Sequence, residues 1–480
     1  MAGGDNSGEV TAAIAAFAVR ADLGDVPSAV IERAKVHVLD SLGLALAGSV
    51  SEAGSIVCGH LSDQGIATSA PARGAASIVG TALFAPPRFA AWANGTAVHA
   101  DNFDDTTPQV RADRTGGIHA SGAVLPAALA LAEARGRTGA EFLLSYLIGV
   151  EIASRLNHAM AARHYGDGFH ATGTLTGFGA AAAAGRLMGL DGDGHVRAQG
   201  LAASFASGVR RNFGTMAEIL HAGHSAECGI VAADLAGRGM TAAADALDGP
   251  VGYFAAAGGG YDAGEIVGKL GTPWVFEDPG VWIKPHPNGA LTHPGAAALL
   301  KLMRDSAVSA ADIRAIRVRT NKRVLNTLIH HDPANAMQGK FSMEFTLALV
   351  AVEGQAGLGE FTDAVLARGD VRDMMKRIAF SAYDEAGPDF TNVTTLVEVE
   401  LIDGRILGGR ADHAAGSTRA PMSFAEVADK YRQCARYGGQ VDEFAERTVA
   451  EVAAIERCGD LGPLTALLRA SGAATHSGTR

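Results

Sequence analysis

The sequence predicts a mainly α fold in which a large helical domain is interrupted by a smaller, inserted α+β domain. Apolar residues recur at helical spacing through most of the first 270 residues and again from Ser423. From Trp274 the composition changes, because WVFEDPGVWIKPHPNGALTHPG is rich in proline and aromatic residues. Two later stretches, 313–321 and 394–411, alternate apolar and polar residues as strands do. We therefore expect the helical domain at 1–272 and 413–480, and the α+β domain at 273–412.

The helical domain is expected to begin with helices at 9–24 and 27–48. The second begins at Pro27 and carries one apolar face. Thr138 and Glu141 form a capping-box pattern at the start of a later helix. The other predicted helical stretches are a helix plus loop at 51–75, a helix after Pro86-Pro87 that leads to His99, a helix at 122–136, the capped helix at 138–160, a small-residue helix ending at Leu190, and two helices within 196–240.

In the α+β domain, 313–321 is expected to form a strand. Residues 394–411 are expected to form a hairpin with Asp403-Gly404 as a two-residue turn. Helices are predicted between these strands, at 339–357 and 360–377.

Composition and charge limit the classes of partner. The chain has 480 residues, of which 48% are hydrophobic and 19% charged, as is typical of a globular protein. Its net charge of -11 argues against nucleic acid, since phosphate binding needs a basic surface. The net charge does not exclude a small anionic substrate, because nearby cationic side chains set the electrostatic potential in a pocket.

The cysteines and the termini predict a cytoplasmic protein. The four cysteines are scattered without a CxxC pair, as expected for free thiols in a reducing compartment. The N-terminus MAGGDNSGEV lacks the features of a signal peptide, and the apolar stretches are shorter than a membrane span. No membrane partner is expected, and the tail SGAATHSGTR is predicted to be disordered.

Three polar stretches stand out in this apolar sequence. Ionisable groups set among apolar residues cost folding energy unless they are paired, solvated or used, so these stretches are the candidate site. They are 99–119 (with His99, Asp101, Asp104, Asp105, Arg111, Asp113, Arg114 and His119), 164–176 (with His164, Tyr165, Asp167 and His170), and 284–293 (with Lys284, His286 and His293). Arg210, Arg211, His221 and His224 lie in a further helical region and could face the same cavity.

Several chemistries can be weighed from these residues. HADNFDD contains metal-ligand residue types but matches neither HExxH nor an EF-hand loop, so metal is the weaker reading. There is no GxSxG nucleophile motif, GTLTGFG is not a dinucleotide fingerprint, and Cys228 has no evident base. Acid–base chemistry by histidine and lysine on an anionic substrate remains.

The chain resembles the MmgE/PrpD family over nearly its whole length. The resemblance rests on these motifs: DSLGLALAG (40–48), HADNFDDT (99–106), IHASGAVLP (118–126), FHATGTLTGFGAAAAAGRLMGLD (169–191), HAGHSAECGIVAADLA (221–236), IKPHPNGALTHP (283–294), KFSMEF (340–345) and PMSFAEVADKYRQCA (421–435). Activities in the family include 2-methylcitrate dehydration, cis-aconitate decarboxylation and cofactor-independent epimerisation of iminodisuccinate. The resemblance implies a helical domain with an α+β lid, a homodimer, and a metal-free site between the domains.

Family residues can be carried over where the motifs match. His119 and His170 match the two catalytic-site histidines, Lys284 the lid lysine, and Thr106 a loop threonine. The chain departs from the pattern at four positions, which are Asn102 (expected Asp, with Asp101 just before it), Glu218 (often Lys), Phe345 (Tyr in decarboxylase-like members) and Gly289 (His in some members). A glutamate in place of a lysine disfavours substrates with the charge of citrate or aconitate.

The resulting hypothesis is a cofactor-independent lyase, a dehydratase or decarboxylase, that abstracts a proton alpha to a carboxylate of a small di- or tricarboxylate. His119, His170 and Lys284 are the predicted catalytic residues, and Arg210 or Arg211 is expected to bind carboxylate. The predicted substrate-binding set is Asp101, Asn102, Asp104, Thr106, Arg210, Glu218, His221 and Phe345. Asp104 and Asp105 would orient the histidines or act as structural caps. The alternatives are an epimerase or isomerase, a non-catalytic carboxylate-binding protein, and a metal hydrolase; no cofactor or metal is expected.

Overall fold

A computed structural model describes residues 8–111 and 113–469 and divides the chain into two compact units. The first unit is formed by the described parts of Met1–Ala100, Asp104–Trp282 and Ser423–Arg480, and the second by Asp101–Phe103 and Ile283–Met422. The tail that was predicted to be disordered lies outside the described residues.

The first unit is helical, as the sequence predicts. Its elements up to Trp282 are α1 Glu9–Arg20, α2 Ser28–Ser49, α3 Glu52–Asp63, β1 Ala76–Ser77, β2 Phe84–Ala85, α4 Pro87–His99, α5 Ser121–Ala134, α6 Gly139–Ala159, α7 Arg163–Gly166, α8 Ala171–Met188, α9 Gly192–Phe205, α10 Met216–Gly237 and α11 Tyr253–Gly258. The predicted capping box is confirmed, because the Thr138 hydroxyl accepts from Glu141 N and the Glu141 carboxylate accepts from Thr138 N.

The second unit combines helices with a four-stranded sheet in the order β4-β3-β5-β6, in which β3 and β4 are parallel and the other pairs antiparallel. Its elements are α12 His293–Asp305, β3 Ile313–Thr320, α13 Lys322–Thr327, α14 Ala336–Gly339, α15 Met343–Glu353, α16 Asp363–Leu366, α17 Gly369–Met375, β4 Ile378–Ala382, β5 Thr395–Leu401 and β6 Ile406–Ala411. The chain then adds three helices to the first unit, α18 Phe424–Tyr437, α19 Asp442–Ala453 and α20 Gly462–Leu467.

The borders of the units fall ten residues later than expected, after Trp282 and Met422. Trp282 belongs to the first unit because its backbone pairs with Thr106, with N–H···O distances of 2.8 and 2.9 Å. The inclusion of 101–103 in the second unit was not foreseen.

The predicted hairpin is present, but its two-residue turn is wrong. β5 ends at Leu401, whose N–H donates to the carbonyl of Arg405 at 2.9 Å, so three residues lie between the two bonded positions. Gly404 takes a φ of 90°, a left-handed conformation that a longer hairpin loop uses and that glycine adopts without strain. Strand β4 was missed altogether.

Within residues 8–111 and 113–469, no single helix is both long and apolar enough to cross a bilayer; α2 and α3 meet that requirement only as a pair, which bends by 75°.

One buried histidine of the first unit predicts acid sensitivity. His195, on α9, is fully buried, and neither ring nitrogen has a hydrogen-bond partner among the described residues. Burial lowers the pKa of His195 to about 4. Below pH ~6.5 His195 is therefore protonated in the unfolded chain but stays neutral in the folded chain. The unfolding free energy consequently falls as the pH drops towards 4.

Replacing His195 with leucine should remove this contribution. Between pH 6.5 and 4 the slope of the unfolding free energy against pH should decrease by up to about 1.4 kcal/mol per pH unit, the value for one proton. Urea unfolding at a series of pH values measures the slope. An unchanged slope in the variant would show that His195 does not cause the pH dependence of the unfolding free energy.

Candidate active site

Four histidines of the first unit lie together. The ring centroids of His99 and His119 are 5.0 Å apart, those of His99 and His170 6.0 Å, and those of His170 and His221 5.1 Å. His99 and His170 are 3% and 4% exposed, whereas the His119 side chain is 16% exposed. The cluster is thus buried on one side and accessible at His119.

Close helix packing brings these rings together. His99 is the last residue of α4, His170 caps α8, and His221 is on α10. A Cβ on Gly95 of α4 would lie 2.8 Å from the Cα of Gly223, so α4 and α10 approach closely only because both positions are glycine. The polar residues therefore depend on the small-residue pattern of the helices that carry them.

Asp104 connects two of the histidines. Its Oδ2 lies 2.7 Å from Nδ1 of His99 and its Oδ1 lies 3.4 Å from Nδ1 of His119, and the carboxylate is fully buried. His119 Nδ1 also donates to the backbone carbonyl of Asp105 at 2.6 Å. A carbonyl can only accept, so Nδ1 carries the proton and the neutral ring has its lone pair on Nε2.

Asp105 has a different role from Asp104. Its carboxylate lies 2.9 Å from Nδ1 of His37 and accepts hydrogen bonds from the backbone and the hydroxyl of Ser121. The Ser121 hydroxyl in turn lies 2.6 Å from the Tyr146 hydroxyl. Both aspartates were expected to orient the site histidines. The Asp105 side chain instead bonds to His37 and Ser121, and so holds the loop whose backbone carbonyl, that of Asp105, accepts from His119.

His170 and His221 form a neutral pair. Their Nδ1 atoms are 2.8 Å apart, so one ring donates and the other accepts. Burial, with further contributions from His99 and other rings, lowers the pKa of His170 well below its ordinary value. Burial and His99 lower the pKa of His221 to about 4. Both rings are therefore uncharged at neutral pH.

Of the two candidate arginines, Arg210 is held near the histidines. Its guanidinium lies 3.6 Å from the ring centroid of Tyr165, and Nη1 donates to the Tyr165 carbonyl at 2.7 Å. It is 5.9 Å from the ring of Phe213, which meets His170 edge-on at 4.9 Å. Arg211 is exposed. Phe213 was not predicted as a site residue. Its only distinguishing feature in the sequence is that it is an aromatic residue followed by a glycine.

Glu218 faces the histidines from the first turn of α10. One oxygen of Glu218 and one nitrogen from each of His99 and His170 all lie within 4.8 Å of one another. His99, Asp104 and His119 form a second group within the same limit. Both sets could hold a metal ion by residue type and spacing.

In the second unit, two buried lysines bind the segment 101–103. Lys284 Nζ donates to the Asn102 carbonyl at 2.8 Å and to its side-chain oxygen at 2.6 Å. Lys340, which sequence reasoning did not select, donates to the Asp101 carbonyl at 2.9 Å and lies 3.3 Å from its carboxylate. Asn102 has a φ of 53°, a left-handed conformation that asparagine and aspartate tolerate better than most residues.

Phe345, which was predicted to bind substrate, is a core residue of the second unit. It is fully buried, with its ring 5.5 Å from that of Phe361, so the structure assigns it a packing role. Thr106, in contrast, is in the histidine cluster, with its hydroxyl 3.4 Å from His119 Nδ1.

Several other candidates are occupied by structural contacts. His164 Nδ1 bonds to the Ala257 carbonyl at 2.8 Å, and its Nε2 to the Thr174 hydroxyl at 2.7 Å. In the second unit, His293 Nε2 lies 2.8 Å from the Asn288 side-chain oxygen. Burial raises the pKa of Cys228 to about 12, so its thiol stays protonated and is a poor nucleophile.

The chain is similar to known proteins along most of its length. Family models describe an MmgE/PrpD N-terminal domain at residues 12–266 and an MmgE/PrpD C-terminal domain at 286–454. It is 28% identical to cis-aconitate decarboxylase of Homo sapiens, covering 93% of this chain and 92% of that protein. It is 26% identical to cis-aconitate decarboxylase of Aspergillus terreus, with 96% of each covered. These matches identify an enzyme of the lyase class, and the chain belongs to the MmgE/PrpD family.

Proposed function

We propose that the chain is a cofactor-independent decarboxylase or dehydratase that acts on a small di- or tricarboxylate by moving a proton at the carbon alpha to a carboxylate. The relatives named cis-aconitate decarboxylase support the reaction class and a substrate of this size. The observation that carries the proposal is the fixed orientation of His119, whose Nδ1 donates to the Asp105 carbonyl.

His119 is the proposed proton carrier. Its neutral ring has the lone pair on Nε2, and it is partly exposed beside the buried His99 and His170. When Nε2 takes a proton, the ring becomes a cation, and the buried Asp104 carboxylate at 3.4 Å stabilises that charge. In a dehydration the ring passes the Cα proton to the departing hydroxyl, which leaves as water. In a decarboxylation the ring, already protonated from solvent, gives its proton to the carbon that holds the electron pair after carbon dioxide leaves.

The His170–His221 pair supplies hydrogen bonds without charge. Because only one proton occupies the line between their Nδ1 atoms, the ring that accepts it must carry its own proton on Nε2. The pair therefore offers one donor and one acceptor whichever way it is arranged. A donor of this kind can bind a substrate oxygen on which negative charge develops.

Cations are needed to bind the carboxylates. Arg210 is the proposed clamp in the first unit, held by the Tyr165 ring and carbonyl. Lys284 is the proposed clamp of the second unit, where its ammonium group already binds two oxygens of Asn102. Bidentate or charge-assisted contacts of this kind are the strong ones for carboxylate recognition.

Epimerisation is a second candidate because of Glu218. The Glu218 carboxylate lies within 4.8 Å of His99 and His170 and would repel the negative charge of a tricarboxylate bound there. A less negatively charged substrate would meet less repulsion. An epimerase would use the same proton transfer at Cα but return the proton to the opposite face, with no bond to carbon dioxide or hydroxyl broken.

Proton NMR in D₂O with a panel of small di- and tricarboxylates, including cis-aconitate and amino-linked compounds, tests the proposal. New vinyl signals or loss of a carboxylate would support the lyase. Deuterium at Cα with unchanged connectivity would support the epimerase. Thermal-shift binding across the panel without any chemical change would contradict both and favour a non-catalytic binding protein.

A further inference from the structure

We propose that His99, His170 and Glu218 bind one divalent transition-metal ion, best fitted by Zn²⁺, and that the bound ion inhibits the enzyme. Two imidazoles and one carboxylate are ligands that Zn²⁺ accepts in proteins, with a further position left for water or a carboxylate oxygen. The three ligand atoms lie within 4.8 Å of one another. In a tetrahedral site they would be about 3.4 Å apart, so modest side-chain movement completes it.

Groups around the two histidines fix their ligand atoms. Asp104 Oδ2 accepts from His99 Nδ1 at 2.7 Å, which leaves the lone pair of the neutral ring on Nε2. His221 Nδ1 lies 2.8 Å from His170 Nδ1 and can orient that ring in the same way. A carboxylate or another acceptor behind a ligand histidine is the usual supporting arrangement in metal sites.

Glu218 is the movable ligand. It is partly exposed in the first turn of α10, and the N–H of Gly214 donates to its Oε2 at 3.2 Å. A long side chain at the edge of a rigid pair of rings can close on an ion without moving a helix. Its negative charge, with that of Asp104, favours a cation among neutral rings.

The second possible set, His99, Asp104 and His119, is less suited to an ion. Asp104 already bonds to His99 at 2.7 Å and lies 3.4 Å from His119, and His119 Nδ1 donates to a carbonyl. An ion there would have to displace these contacts. We therefore assign Asp104 to the support of His99 rather than to the ion.

Inhibition follows because the ion would take the lone pairs of His99 and His170 beside the proposed proton carrier. This part rests on the proposed function, whereas binding of the ion does not. The two parts can be measured separately on the same protein.

Binding is tested on the full-length chain without an affinity tag, after treatment with chelator and desalting. Calorimetric titration with Zn²⁺ should give one site per chain, and Co²⁺ should develop visible d–d absorption that Zn²⁺ removes. Glu218→Gln should weaken binding by at least about 100-fold, and Glu218→Asp should weaken it less. Asp234→Asn, a surface change on the same helix, should leave it unaltered.

Retention of Zn²⁺ binding in folded Glu218→Gln and His170→Gln variants, verified by circular dichroism, would overturn the proposal. Loss of binding in His119→Gln but not in Glu218→Gln would also overturn it, because the ion would then use the other set. One equivalent of Zn²⁺ should suppress turnover, and chelator should restore it. Full activity with Zn²⁺ bound in a Glu218-dependent manner would support the site but overturn the proposed inhibition, and it would contradict the proposed role of His170.

Discussion

Replacing His119 with glutamine should lower kcat by about 10²- to 10⁴-fold, the usual contribution of a positioned acid–base group. Glutamine keeps a side chain of similar reach and can still donate to the Asp105 carbonyl, but it cannot take up a proton. The substrate KM should change little, because the proposed carboxylate clamps are Arg210 and Lys284. Steady-state kinetics on the substrate found by NMR measures both constants.

His224→Gln is the matched control for this change. His224 is on α10, partly buried, and its ring contacts Cys228 at 3.4 Å. The control should retain kcat within a few-fold. Equal kcat values in the wild type and in folded His119→Gln would remove His119 from the mechanism.

Replacing Lys430 with methionine should lower the unfolding free energy by about 3–5 kcal/mol, the usual effect of breaking a buried ion pair. Lys430 on α18 lies 2.7 Å from Asp40 on α2, with side-chain exposures of 6% and 0%. Burial already raises the pKa of Asp40, and Lys430 offsets part of that rise. Without the lysine, a fully buried carboxylate loses the cation that stabilises its charge.

The loss should be smaller in acid. In the variant, folding raises the pKa of Asp40 above its unfolded value, so the folded chain binds a proton more readily and the defect shrinks as the pH falls. The double change Asp40→Leu with Lys430→Met should lower the unfolding free energy less than Lys430→Met alone, because neither charge of the buried pair is left. Urea unfolding at neutral and acid pH measures these differences, and a loss below about 1 kcal/mol in the single variant would contradict the account.

Local patterns were enough to predict most of the fold. The Thr138–Glu141 capping box and the alternation at 313–321 depend on neighbours in the sequence, and both are present. Strand β4 has five residues at the edge of the sheet, where only pairing with β3 defines it. The Asp40–Lys430 pair joins residues far apart in the chain, so no local pattern could reveal it.

The candidate site was predictable in composition but not in geometry. The polar stretches identified His99, His119 and His170, and the departure from the family pattern drew attention to Glu218; the structure places these four residues together. Sequence could not separate Asp104, which faces the histidines, from its neighbour Asp105, which faces His37.

Hydrogen bonding of the backbone and burial decide the remaining roles. The proton position on His119 follows from a carbonyl contact, which no residue pattern encodes. Phe345 is indistinguishable in sequence from a pocket aromatic until its burial against Phe361 is known.

The origin of the proton on the alpha carbon shows most directly whether His119 carries it. The substrate identified by NMR is turned over in D₂O, and deuterium at Cα is measured by mass spectrometry for the wild type and for His119→Gln. We expect deuterium at Cα with wild type, in the product of a decarboxylation or in the substrate recovered from a dehydration. We expect a greatly reduced rate of incorporation in the variant, although thermal shift shows that the variant still binds substrate. Incorporation at the wild-type rate in folded His119→Gln would show that another group transfers the proton.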